Sequence, residues 1–330
     1  MHLQLRDRLA ELPYRLRSCA RARRLTWPLT ERDLARIVIT WPSRYEWPGT
    51  SPIVETLKDA FSHLGVLRIA PTPQTYKGVV MLACSIDGSA HSVALDYSDY
   101  PAFINHTALS ESALYIKLEY RTEGYDDQKI VPGGYTTTFC SYYKYYLPFR
   151  ARHASEPSID VLGRFGYTFQ ADLRRKAVEK LQAATDIHFV GSAGKVRYSR
   201  FLREVASARL SLHLPGNGPF THRVAEFLGL GTCMISVRFP TDLHVPLVAG
   251  IHYVEIASDL ADLVEKCRFY LRNEAERERI AKAGKEFFDR YLHCDQLAAY
   301  YIRNMLDRLQ GEPTAHSAVL PGLTKRETAA

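Results

Sequence analysis

The densest concentration of potential chemistry lies in LSLHLPGNGPFTHRVAEFLGLGTCMISV, residues 210–237. An apolar run, Leu210–Leu214, leads into Pro215-Gly216-Asn217-Gly218-Pro219, and a helical pattern follows over 221–230. Such a turn aims backbone N–H groups and the positive end of a helix dipole at one point, where an anion is favoured. Gly216 and Gly218 let the main chain approach a ligand closely, with Asn217 between them and Thr221 and His222 at the helix start. Arg223, in the first turn, offers a planar fork of donors for a phosphate. Glu226, three residues on, shares its helical face and suits the hydroxyls of a ribose. The pattern is no P-loop, because no GK[ST] follows, and no GxGxxG is present. A plain strand–turn–helix with a solvated Arg and Glu is the competing reading.

Two carboxylates in SVALDYSDYP, Asp96 and Asp99, follow a predicted strand end. Ligands of open α/β sheets gather outside the carboxyl ends of strands. A carboxylate there can take the proton of an attacking hydroxyl. Asp99 is the preferred base over Asp96; an Asx-turn or helix cap is the alternative for each.

These groups need a scaffold of strands alternating with helices. Candidate strands are 36–40, 66–70, 79–84, 92–95 and 114–119, with a helix over 51–63. The same alternation restarts at 159 and runs to a last helix at about 295–309. The expected fold is α/β, with two Rossmann-like domains facing across a cleft. Residues 1–30 form a basic segment, 31–155 and 156–310 the two domains, and 311–330 a disordered tail. The Tyr-rich stretch 135–146 suits either sugar stacking or interdomain packing.

Composition sets limits. At 330 residues, 46% hydrophobic and 24% charged, the chain has room for two ordinary domains. It lacks an apolar run long enough for a transmembrane helix and an apolar signal-peptide core. Six scattered cysteines without a CxxC argue against a disulfide framework or cysteine zinc site and for the cytoplasm. The net charge of +7 owes much to Arg6, Arg8, Arg15, Arg17, Arg21, Arg23 and Arg24. Leucines interleave with them, so the segment either packs on the protein or lies on an anionic membrane, here the inner face. No nucleic-acid module is recognisable. Asp126-Asp127 is adjacent, not spaced as a DxD motif, so no metal is expected and no cofactor beyond a nucleotide-sugar substrate.

Over about 158–305 the sequence resembles the C-terminal domain of GT-B glycosyltransferases, especially the spore-maturation and exostosin-like branches. The resemblance rests on Gly216–Gly218, Arg223, Glu226, Leu228, Gly231 and the strand 233–237, then HYVEI and the helical text from Ser258. It departs where retaining families carry a first Glu, because Gly218 stands eight residues before Glu226. It implies a metal-independent transfer of sugar from a nucleotide-sugar donor to a hydroxyl of a glycan or lipid-linked acceptor. Arg164 and Lys195 become further diphosphate contacts, and Lys117, in LYIKLEY, a cleft-facing residue. A nucleotide-sugar epimerase, or a non-catalytic protein binding glycan or a partner, is the alternative.

Overall fold

The computed structural model describes residues 24–46, 50–73, 76–147, 150, 157–193 and 196–309. Much of the basic N-terminal segment, Lys195 and the tail therefore lie outside the described residues. Two sheets organise the rest. The first has six strands: β1 (Ile37–Arg44), β2 (Leu67–Pro73), β3 (Val79–Ile86), β4 (Ser89–Asp96), β5 (Leu114–Lys117) and β7 (Ile130–Pro132), in the order 2-1-3-4-5-7. Helices α1 (Glu31–Arg36), α2 (Ser51–His63) and α3 (His106–Glu111) accompany it. Thr30 and Asp33 close a capping box at the start of α1.

This first sheet is mixed, whereas the sequence pattern suggested a doubly wound parallel unit. β3 runs antiparallel to both β1 and β4, because β3 and β4 form a hairpin. Its turn is Asp87-Gly88, both at positive φ (50° and 85°), the pairing that a tight two-residue hairpin requires. β4, β5 and β7 are parallel, so Asp96 and Lys117 end adjacent strands in register.

The second sheet is wholly parallel, in the order 13-11-10-8-9: β8 (Ile159–Phe165), β9 (Phe189–Ala193), β10 (Ala208–His213), β11 (Cys233–Val237) and β13 (Val254–Ile256). Helices α4 (Ala171–Ala183), α5 (Tyr198–Ala206), α6 (His222–Leu230), α7 (Leu263–Arg272) and α8 (Glu274–Phe287) connect or follow these strands. The chain moves outward from β8 to β9, then returns past β8 to β10. The order therefore reverses between β8 and β10, and the crevice beyond their carboxyl ends is where such sheets bind ligands.

The two halves are stitched together. β6 (Tyr120–Arg121) pairs antiparallel with β12 (Thr241–Asp242), one strand from each half. After a π-helical turn at Phe288–Leu292, α9 (Cys294–Leu309) crosses back onto the first half. There Tyr300 donates to Pro132 O (2.8 Å), and Tyr301 accepts from Gly134 N (3.1 Å). Text that reads in sequence as the end of the second unit thus packs on α2 and β5. Tyr135, Tyr142 and Tyr143 are buried between the halves, so packing is their role rather than an open sugar platform. No described helix is long and apolar enough to cross a membrane.

Candidate functional site

A cavity of about 550 Å³ opens at the β8/β10 switch point. The loop after β8 (Phe165 to Thr168) forms one wall, α5 another through Tyr198 and Phe201, and the first turns of α6 a third. Phe139 comes from the first half and stacks 4.6 Å from Tyr198 in a tilted geometry. The wall is therefore aromatic, broken by Arg164, His222, Arg223 and Glu226.

Glu226 is almost fully buried, at 1% exposure, yet only half satisfied. Oε1 accepts from Tyr198 Oη (2.7 Å), while Oε2 has no hydrogen-bond partner. Burial pushes its carboxyl up to about 7, against the Tyr198 bond and the nearby Arg223 charge. An unmade bond of this kind costs free energy in the empty protein and is regained when a ligand supplies a donor.

Arg223 is equally exceptional. Its guanidinium lies over the rings of Phe201 (5.6 Å) and Phe165 (5.8 Å). Among the described residues no carboxylate lies within ion-pairing distance of it. Burial presses its charge down, opposed by Glu226. His222 faces the cavity beside it. Its ring is solvent-exposed, and the surrounding protein and then the Arg223 charge lower its imidazole from the usual value. His213, at the end of β10, is held down to about 3 by burial, then by Arg223, Arg174 and His222. Its two ring nitrogens bond Ser236 Oγ (3.0 Å) and Thr221 Oγ1 (3.2 Å). Thr221 accordingly ties the helix start to β10 and does not cap its own helix.

The Gly-Asn-Gly loop differs from expectation. It does not line the cavity; the opposite half occupies it. Asn217 Nδ2 donates to Asp99 Oδ2 (3.0 Å), and Tyr100 Oη donates to Asn217 Oδ1 (3.1 Å). A Cβ on Gly218 would stand 2.7 Å from Glu119 Oε1 and 2.9 Å from Asp99 O, so glycine there permits the two halves to close. Around Gly216 a Cβ would meet only ordinary contacts, from 3.4 Å. Local sequence showed that the backbone had to be approached closely but not by what.

Glu119 is the hub of this seam. It accepts from Phe220 N (3.0 Å), Thr241 Oγ1 (3.0 Å) and Tyr135 Oη (3.1 Å). Burial raises its carboxyl to about 8.

Several sequence candidates are committed elsewhere. Asp96 is fully buried, with bonds from Tyr115 Oη (2.6 Å), Lys117 Nζ (3.1 Å) and Ser98 N (2.8 Å). Lys117, also fully buried, bonds Ser98 Oγ (2.6 Å) as well. The pair is an internal ion pair of the first sheet, so Asp96 is not placed to act as a base, and Lys117 does not face the cleft. Arg164 lines the cavity, but Glu204 holds its guanidinium through Nε and through Nη2 (2.8 Å). Asp99 is half-buried on the seam. The described His293, Cys294 and Asp295 form a grouping with donor atoms within 4.8 Å of one another, at the start of α9 and away from the cavity.

Sequence reasoning missed Arg174, in the first turn of α4. It is 7% exposed and bonds backbone carbonyls of Gly166 (2.6 Å), Pro215 (2.6 Å) and Leu214 (3.4 Å). The readable signal was its phase. Arg174 falls on the same helical face as the buried Ala177, Val178 and Leu181.

Comparison with known proteins gives one family match and several distant structural likenesses. Residues 172–303 match a family model described as glycosyl transferase-like. Among solved structures, Anabaena HepE in complex with UDP-glucose aligns at 10% identity, covering 81% of this chain and all of that one, with a TM-score of 0.41. The pneumococcal O-GlcNAc transferase GtfA, in complex with UDP and GlcNAc, aligns at 11% identity over 76% of this chain and 54% of its own, with a TM-score of 0.39. Likenesses of that size say nothing about substrate. The family match spans α4 through most of α9 and takes in Arg174, Arg223 and Glu226. Through this segment the chain is glycosyl transferase-like.

Proposed function

We propose that the chain transfers a glycosyl group from a nucleoside diphosphate sugar, bound in the cavity between the β8 loop and α6, to a hydroxyl acceptor. The observation that carries this reading is the pairing of two groups on one helical face: a cation with no carboxylate in ion-pairing distance among the described residues, and a buried carboxylate oxygen without a hydrogen-bond donor. A diphosphate answers the first and a ribose diol the second. Aromatic walls from Tyr167, Tyr198 and Phe139 suit a flat base. The leaving diphosphate would be stabilised by Arg223 and the start of α6, with no metal called for.

Of the carboxylates singled out in the first half, Asp99 is the remaining candidate for acceptor deprotonation. It is half-exposed and sits where the two halves meet. The acceptor proposed is a glycan or lipid-linked hydroxyl, as in polysaccharide biosynthesis. The cluster of arginines at the N-terminus supports a peripheral approach to an anionic membrane from the cytoplasmic side.

A thermal-shift screen of uridine, guanosine, thymidine, cytidine and adenosine diphosphates and their sugars tests the reading. One base class should raise the melting temperature in a dose-dependent way, and Arg223→Ala should abolish the rise. No response to any of them would overturn the proposal.

A further inference from the structure

Where α9 begins, four side chains able to ligate a metal converge from two distant parts of the chain. His293, Cys294 and Asp295 bring a ring nitrogen, a sulfur and a carboxylate oxygen within 4.8 Å of one another. His63, the last residue of α2, approaches the same carboxylate, with Nδ1 3.9 Å from Asp295 Oδ1. His293 Nδ1 stands 3.6 Å from Oδ2, and Cys294 Sγ 3.8 Å from Oδ1. Asp295 is the corner that the other three share.

These spacings are close to those of a coordination shell. A zinc ion with bonds of about 2.0–2.3 Å at tetrahedral angles sets its ligand atoms roughly 3.3–3.6 Å apart. The separations around Asp295 are slightly wider, as in a cluster that contracts onto an ion. The donor set discriminates between metals. Two imidazoles and a thiolate suit zinc, whereas magnesium and calcium take oxygen ligands. His293 and Cys294 are buried, while the side chains of Asp295 and His63 keep part of their surface in solvent and leave a way in. The rings of Tyr143 (4.8 Å) and Phe288 (6.0 Å) meet the His293 imidazole edge-on and hold its plane. Its Nδ1 accepts from Asp295 N at 3.3 Å, a long bond that an ion claiming the same lone pair displaces. Cys140 is committed to Asp59 Oδ2 (2.7 Å) and stands outside the ligand set. The start of α9 opposes a bare cation through its dipole. A thiolate and a carboxylate bring two negative charges, so the assembled site is neutral and that objection lapses.

We propose that His63, His293, Cys294 and Asp295 form a structural zinc site that clamps the start of α9 onto the end of α2. The ion joins residues more than two hundred positions apart in the chain, at the place where α9 crosses back onto the first half. As the zinc–sulfur bond forms, the Cys294 thiol gives its proton to solvent, one for each ion bound. The site has no part in the sugar transfer proposed above and does not depend on it.

The test uses the untagged full chain, stripped with a chelator under reducing conditions, and Co2+ as a coloured stand-in for Zn2+. Wild type should take up one equivalent of Co2+, with a thiolate-to-cobalt charge-transfer band and the intense visible bands of a tetrahedral ion. Zn2+ should bleach both and raise Tm. Cys294→Ser should lose the charge-transfer band, while Cys140→Ser keeps it. His63→Gln should weaken Zn2+ binding at least tenfold and remove most of the rise in Tm. His63 lies at a helix end with its side chain partly in solvent, so this variant decides the matter if Cys294→Ser does not fold. Failure to take up Co2+, uptake without a thiolate band, a band that survives Cys294→Ser, or Zn2+ affinity unchanged in His63→Gln would overturn the site. None of these results bears on the nucleotide cavity.

Discussion

Glu226→Gln separates what the buried carboxylate costs the empty protein from what it contributes to a bound ligand. Glutamine keeps the size and an oxygen for Tyr198, but it carries no charge. In the fold burial, as the leading cause, pushes the carboxyl up to about 7, against an ordinary 4.5. An acid with a raised folded pKa carries no penalty below its unfolded value. The penalty grows as pH climbs between about 4.5 and 7 and is complete above 7. Integrated over that window it amounts to about 3 kcal/mol, at roughly 1.4 kcal/mol per unit. Urea unfolding of wild type and variant from pH 5 to pH 8 should therefore diverge, the variant gaining up to about 3 kcal/mol on wild type as pH rises. Ligand binding should move the other way. A hydrogen bond to a charged acceptor contributes about 1.5–3 kcal/mol, so nucleoside diphosphate affinity should fall roughly 10- to 150-fold. Parallel stability curves together with unchanged affinity would refute the argument that Glu226 holds an unmet acceptor for ligand.

Three further outcomes follow from the same contacts. Arg223→Met removes a half-buried cation that lacks a carboxylate partner among the described residues, so chemical denaturation should show unchanged or increased stability, while calorimetry shows nucleotide affinity reduced by about 1.5–3 kcal/mol. Asp96→Asn strands the buried Lys117 ammonium and should cost about 3–5 kcal/mol in urea unfolding, with much of the loss recovered in the double variant Asp96→Asn, Lys117→Met. Gly218→Ala drives a methyl against Glu119 and Asp99 and should cost about 1–3 kcal/mol, accompanied by faster proteolysis as the halves separate; equal stability and protease resistance would mean the seam is looser than its contacts indicate.

The second half was legible because its signals are local. The turn at Pro215–Pro219, the αL glycine Gly231 that ends α6, and the apolar strand at 233–237 are each read within a few residues. Arg223 and Glu226 came out of one helical period. What failed depended on partners distant in the chain. Asp96 and Lys117 looked like cleft residues until the parallel register of β4 and β5 set them side by side. Gly218 announced a close approach, but only the fold shows that Glu119, about a hundred residues earlier, makes it. Asp87-Gly88 is a hairpin signal within the first half, and it makes β3 and β4 antiparallel where the alternation of strands and helices alone suggests Rossmann-like parallel pairing. Arg174 hid in a run with Arg175 and Lys176, where only helical phase distinguishes the inward arginine from its solvated neighbours.

Where a nucleotide sits on the second sheet decides whether Arg223 and Glu226 form a ligand site. A crystal structure of the chain soaked with whichever nucleoside diphosphate most raises its melting temperature measures this directly. The phosphates should lie against Arg223 at the start of α6, with a ribose hydroxyl on Glu226 Oε2. Density for the nucleotide on the far face of the second sheet, or phosphates remote from Arg223, would contradict it.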